Sequence, residues 1–125
     1  MGYDHVKTLR GSLDITNFYR FKDDERLKLR RAHNLGSDYI VGYVFRNQLR
    51  KSVPNLLDGF KALKVTVPQA KLLLHTHWSE GWDIPRLIKE KDINPSNILT
   101  TYVCNKCGLY SVSPFKGQEL KCGSC

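Results

Sequence analysis

Residues 39–45 read Tyr-Ile-Val-Gly-Tyr-Val-Phe and run straight into Arg46-Asn47-Gln48-Leu49-Arg50-Lys51. The run is β-branched and aromatic, too short for a helix, and apolar at consecutive positions, as a central strand covered by helices on both faces must be. Beyond the basic loop, Ser52 suits a helix N-cap and Pro54 its first turn. Val53, Leu56, Leu57, Phe60 and Leu63 then recur at the spacing that lines one helical face. Residues 70–76 predict a second buried strand. A polar loop leads to a helix capped near Asp83, with Ile84, Leu87 and Ile88 inward, and residues 97–103 predict a third strand. Strand, helix, strand, helix, strand is the order of a right-handed parallel sheet, whose ligands bind at the carboxyl ends of the strands. The expected fold class is α/β, a parallel sheet with flanking helices.

Upstream, residues 1–21 mix a short alternating piece, Val6 to Leu13, with turn-formers, and predict a leading strand or linker. Asp23, Asp24 and Glu25 open a helix that Leu27 to Ala32 continue and that Gly36 is placed to stop. That helix is strongly basic and expected to be exposed. The chain has 125 residues, 41% of them apolar, and a mean hydropathy of −0.41, enough for one domain with a small appendage. No window nears the roughly 18 uninterrupted apolar residues of a membrane span, and the start lacks a signal pattern, so a soluble, cytoplasmic chain is expected. Twenty Lys and Arg against 12 acidic residues give +8 and a pI near 9.5. That balance suits polyanionic partners: nucleotide phosphates, nucleic acid or anionic membrane. A solvated basic surface is the plainer alternative.

All four cysteines fall within residues 104–125. A disulfide framework would be spread through the fold to staple it, so clustering favours a metal. Cys104-Asn105-Lys106-Cys107 and Cys122-Gly123-Ser124-Cys125 form two C-x2-C turns with residues 108–121 between them, close to zinc-ribbon spacing though slightly short. Each turn can face both thiolates to one ion, and two turns complete a tetrahedron of sulfurs at about 2.3 Å. Such a site is closed to water, so its expected role is structural Zn2+. Four thiolates and one divalent ion together add two negative charges, leaving about +6, so a nucleic-acid role for a basic ribbon survives. Tyr110, Phe115, Lys116 and Lys121 interleave aromatics with cations there. The plainer reading makes Tyr110, Val112 and Phe115 the ribbon's own small core.

The loop at 46–51 stands before a helix N-terminus, where free backbone N–H groups and the helix dipole attract an anion and Arg or Lys side chains can clamp its oxygens. It reads as a phosphate site, with Arg46, Asn47 and Lys51 as candidate ligands, unless the cations merely solvate the loop. His75 and His77, two apart at a strand end, are a weaker ligand pair. A wetted strand end with Trp78 and Trp82 closing over the sheet edge is the simpler account. The sequence has no nucleophile elbow, GxGxxG, Walker loop or paired carboxylates at telling spacing.

Arg46 and Lys51, five apart after an apolar strand containing Gly42, resemble the Arg-and-Lys diphosphate clamp of family 4 retaining glycosyltransferases. Leu13-Asp14-Ile15-Thr16-Asn17-Phe18 is similar to the segment preceding that family's nucleotide-binding lobe. Leu56-Leu57-Asp58-Gly59-Phe60 and Pro68-Gln69-Ala70-Lys71-Leu72 are similar to the lobe's first helix and second strand. The resemblance covers roughly residues 9 to 103 and implies a partial Rossmann-like sheet, a half-lobe of the donor domain over residues 1–103, followed by a zinc-ribbon-like module at 104–125. It implies that Arg46 and Lys51 hold the diphosphate of a UDP- or GDP-sugar. The family's acceptor lobe and later acidic motif have no counterpart in the sequence, so the chain alone is not expected to transfer sugar. Partners expected on this reading are a nucleotide sugar and the missing acceptor lobe, or a second copy through an exposed sheet edge. A small zinc-ribbon module binding nucleic acid or protein is the alternative.

Overall fold

In the computed structural model, which describes residues 16–117 and 122–125, the decisive apolar run forms strand β1 (Tyr39–Val44). The leading piece at Val6 to Leu13, and Lys121, lie outside the described residues. Before β1 comes helix α1 (Asp23–Ala32). Glu25 opens it by accepting the Lys22 backbone N–H at 3.0 Å. Its end is set by Asn34 rather than Gly36. Asn34 takes φ 54, its N–H reaches the Arg31 carbonyl at 3.1 Å, and the Leu35 N–H reaches the Arg30 carbonyl at 2.9 Å, a Schellman closure. α1 buries no residue, as its charge predicts.

Helix α2 (Val53–Thr66) buries Val53, Leu57 and Phe60, with Leu56 and Leu63 partly buried beside them. Strand β2 (Ala70–His75) follows, then helix α3 (Ile84–Glu90), in which Asp83 caps the Arg86 N–H at 3.1 Å and Ile84 and Ile88 are buried. Strand β3 (Ile98–Val103) completes the expected series. β1 pairs with β2 and β2 with β3, all parallel, in the register Val41↔Leu72 and Leu72↔Ile98.

Two connections of the same hand, stepping in the same direction, put α2 and α3 on one face of the sheet. There Ala70, Leu72, Leu74 and Ile98 join both helices in one core. The alternate positions of β2, Lys71, Leu73 and His75, are not buried. β1 has no fully buried residue, and Val44 is 77% exposed. The expectation of a central strand covered on both faces is therefore corrected: helices cover one face, and β1 is the sheet's edge among the described residues.

The sheet also continues past residue 103, where the sequence suggested a boundary. Strand β4 (Tyr110–Pro114) lies antiparallel to β3, from Leu99↔Pro114 to Val103↔Tyr110, making a mixed sheet of four strands in the order β1-β2-β3-β4. An all-parallel sheet is thus also corrected, because the short 104–109 turn can return the chain only antiparallel. No helix among the described residues is long and apolar enough to cross a membrane.

Candidate anion-binding loops and metal centre

Because β1, β2 and β3 are parallel, the loops that leave them share one edge of the sheet. The first, residues 46–51, and the second, residues 76–83, are tied together at several points. Asn47 is 1% exposed, donates its amide to the Trp82 carbonyl at 2.7 Å and accepts the Trp82 N–H at 3.0 Å. The Trp82 indole N–H donates to the Leu49 carbonyl at 3.1 Å. Gly81 lies so close that a Cβ there would sit 2.6 Å from the Asn47 carbonyl oxygen, a separation only glycine tolerates. Asn47, a candidate phosphate ligand by sequence, is therefore a buried clamp whose amide is used on both sides within the protein.

Arg46 emerges from this clamp and donates to Glu80, Nη2 to Oε1 at 2.7 Å and Nε to the same oxygen at 3.2 Å. The hydrogen bond and the charge together hold the Glu80 carboxyl below its ordinary range and raise the Arg46 guanidinium. The Arg46 and Glu80 side chains are 70% and 42% exposed, so the pair stabilises the fold little. Its value is positional: a guanidinium at the carboxyl edge already engages a planar oxyanion. Arg50 donates to Gln48 at 3.0 Å, and Lys51 lies half-buried in the single turn before α2.

The start of α2 differs from its expected form. Ser52 takes a left-handed φ of 45 and its hydroxyl does not cap the helix. Pro54 has no N–H, and the Asn55 and Leu56 amides both go to the Ser52 carbonyl, at 3.0 and 3.3 Å. Few first-turn amides are left for an anion, so any binding there falls to side chains. A left-handed serine is mildly strained, a condition that collects at binding loops.

The histidines do not form a ligand pair. His75 shares a hydrogen bond with the Thr101 hydroxyl, and His77 Nδ1 accepts the Ser79 N–H at 3.4 Å. Trp78 is 4% exposed, donates to the Thr100 hydroxyl at 2.9 Å and stacks on Phe115 at 4.0 Å with ring planes 4° apart. Phe115 thus packs on the main core and not in a separate ribbon core, while Tyr110 is 53% exposed and stacks on His33.

The cysteines converge as their spacing predicts. All four sulfurs lie within 4.8 Å of one another, with Cys104 to Cys125 at 3.4 Å and Cys107 to Cys122 at 3.8 Å. A tetrahedron with ligands at about 2.3 Å has edges of about 3.8 Å, so these separations fit one ion, and they are far beyond the roughly 2.05 Å of a disulfide. The first turn is shaped for it. The Gly108 N–H closes on the Cys104 carbonyl at 2.9 Å, Gly108 takes φ 70, and the Lys106 N–H points at the Cys104 sulfur at 3.4 Å. Backbone N–H groups of Cys107 and Lys106 draw the Cys104 thiol down to about 6, whereas Cys125, facing the Cys104, Cys122 and Cys107 sulfurs, is pushed up to about 12. The cluster can hold a metal ion such as zinc.

Comparison with protein-family models, curated proteins and solved structures gives no match to this chain. Sequence reading missed Glu80, Gly81 and the clamp role of Asn47, since only the meeting of two loops defines them. The Ser-Glu-Gly cluster at 79–81 before Trp82 was the available signal of a tight loop.

Proposed function

We propose that the chain is a nucleotide-sugar-binding, Rossmann-like portion of a glycosyltransferase-like protein. Arg46 and Lys51 are the ligands of the donor diphosphate, and a structural Zn2+ sits on Cys104, Cys107, Cys122 and Cys125 in a ribbon-like turn pair. The observation that supports the phosphate reading is the Arg46–Glu80 contact. Two strand-end loops meet where parallel α/β sheets bind ligands, and the guanidinium there is already turned toward an oxyanion. A phosphate oxygen taking the place of the Glu80 carboxylate keeps the same charge-assisted donors. Asn47 has no ligand role in this proposal; it fixes the loop from which Arg46 projects. The proposal is for donor binding, and sugar transfer needs an acceptor-facing lobe as well.

Calorimetric titration of zinc-loaded protein with inorganic pyrophosphate, UDP and GDP tests it. Binding that weakens about tenfold or more in both Arg46→Ala and Lys51→Ala is expected, the loss for a charge-assisted hydrogen bond. No response to any of the three, together with steeply salt-dependent binding of single-stranded RNA or DNA, would instead support the basic zinc-ribbon reading.

A further inference from the structure

β4 has little burial to hold it, although Tyr110 and Val112 are strand-formers. Tyr110-Ser111-Val112-Ser113-Pro114 buries no side chain fully, and its closing proline cannot donate to the ladder. It is nonetheless paired along β3 from Val103 to Leu99. The cysteines bracket it: Cys104 and Cys107 lie in the turn entering β4, and Cys122 and Cys125 follow it, so one ion on all four sulfurs closes a loop with β4 inside. Shortening the closure a weak strand must find on its own is what a metal clip does best.

What β4 delivers is the chain just beyond it. Phe115 lies flat on Trp78, the Lys116 N–H donates to the Tyr102 hydroxyl at 2.6 Å, and that hydroxyl donates to the Gly117 carbonyl at 3.1 Å. Trp78 belongs to the 76–83 loop. Its indole is anchored on Thr100, its carbonyl accepts the Ile84 N–H at 3.0 Å, and further along the same loop Glu80 meets Arg46 and Trp82 meets Asn47.

We infer that an ion on the four cysteines positions the anion-binding loop. Closing the cluster holds β4 in register, β4 seats Phe115 on Trp78, and Phe115 fixes the loop that faces Arg46. Phe115 is thus a positioning residue that acts through Trp78. The effect on ligand binding rests on the phosphate reading above, whereas the mechanical link from ion to Trp78 does not.

The chain has two tryptophans, so Trp82→Phe leaves Trp78 as its single indole reporter. Zinc added to this chelator-stripped variant is expected to shift Trp78 emission and near-ultraviolet dichroism in step with binding of one ion. Phe115→Leu in the same background should load one zinc but lose most of that response, and Phe115→Tyr should restore it. In protein retaining both tryptophans, pyrophosphate is expected to bind at least about fivefold more tightly with zinc than without, the low end of ordinary coupling between sites.

An unchanged Trp78 signal on loading, or a full response in Phe115→Leu, overturns the inference. So does pyrophosphate binding of equal strength with and without zinc. If zinc moves Trp78 but pyrophosphate binds in neither form, the phosphate reading fails and the link from metal to loop stands.

Discussion

The unit from β1 to β3 and the segment from Cys104 onward solve the same problem by different means. In the first, Val53, Leu57, Ala70, Leu72, Leu74 and Ile84 are 0% exposed. Apolar burial of about 25 cal/mol per Å2 is enough to order such a unit. In the second, no described residue is fully buried and the side chains that recur are sulfurs, glycines and serines. A short segment without a core needs a cross-link. One sheet thus joins strands held by packing to a strand bracketed by four cysteines that could hold a metal ion, with the Trp78–Phe115 stack as the seam between them.

Stripping the metal should break this comparison most sharply. Binding energies of about 10–16 kcal/mol are usual for structural zinc in small peptides. Amide exchange should therefore lose its protection across Tyr110 to Pro114 under a chelator while Leu72 to Leu74 stay protected. Equal loss in both strands would mean that the two regions stand or fall together. Leu57→Ala is expected to act in the opposite way, lowering stability to urea by about 2–5 kcal/mol with one zinc still bound per chain.

At the seam, Thr100 is 2% exposed, accepts the Trp78 indole N–H and donates to the Leu74 carbonyl at 3.0 Å. Thr100→Val should cost about 1–3 kcal/mol, because it strands the buried indole donor; an unchanged melting temperature would count against that. The smallest effect expected is at Glu80. Glu80→Gln removes the internal competitor for Arg46 and should tighten pyrophosphate binding by about two- to fivefold, the size of an exposed ion pair.

The sign of the pH dependence follows from the lowered Glu80 carboxyl. The wild-type pair is complete above the ordinary carboxylate range of about 4.3 and is lost only as pH falls through the lower value in the folded state. The ratio of variant to wild-type affinity should therefore hold from about pH 8 to pH 5 and shrink toward one only below the ordinary carboxylate range. A ratio that changes near neutrality would point to a different group.

Periodicity alone was enough to give α2, α3 and three strands, because Leu57, Phe60, Ile84 and Ile88 recur at helical spacing and the strand segments are dense in apolar residues. The paired C-x2-C turns were enough to mark a cluster that could hold a metal, since two residues between thiolates is a local property of a turn. Nothing local identified β4, a short segment that closes on a proline and buries no side chain fully, because its pairing depends on β3 as a neighbour. Nothing local separated Asn47 from Arg46 either. Both stand in one basic loop, and only the approach of the 76–83 loop buries the first against Gly81 and Trp82 and leaves the second exposed, paired with Glu80. The sequence by itself determined α2, α3, the three parallel strands and the paired cysteine turns, which depend on near neighbours in the chain. The tertiary structure alone decided the sheet's edges and which residues of the two strand-end loops meet, which depend on contacts between segments far apart in the chain.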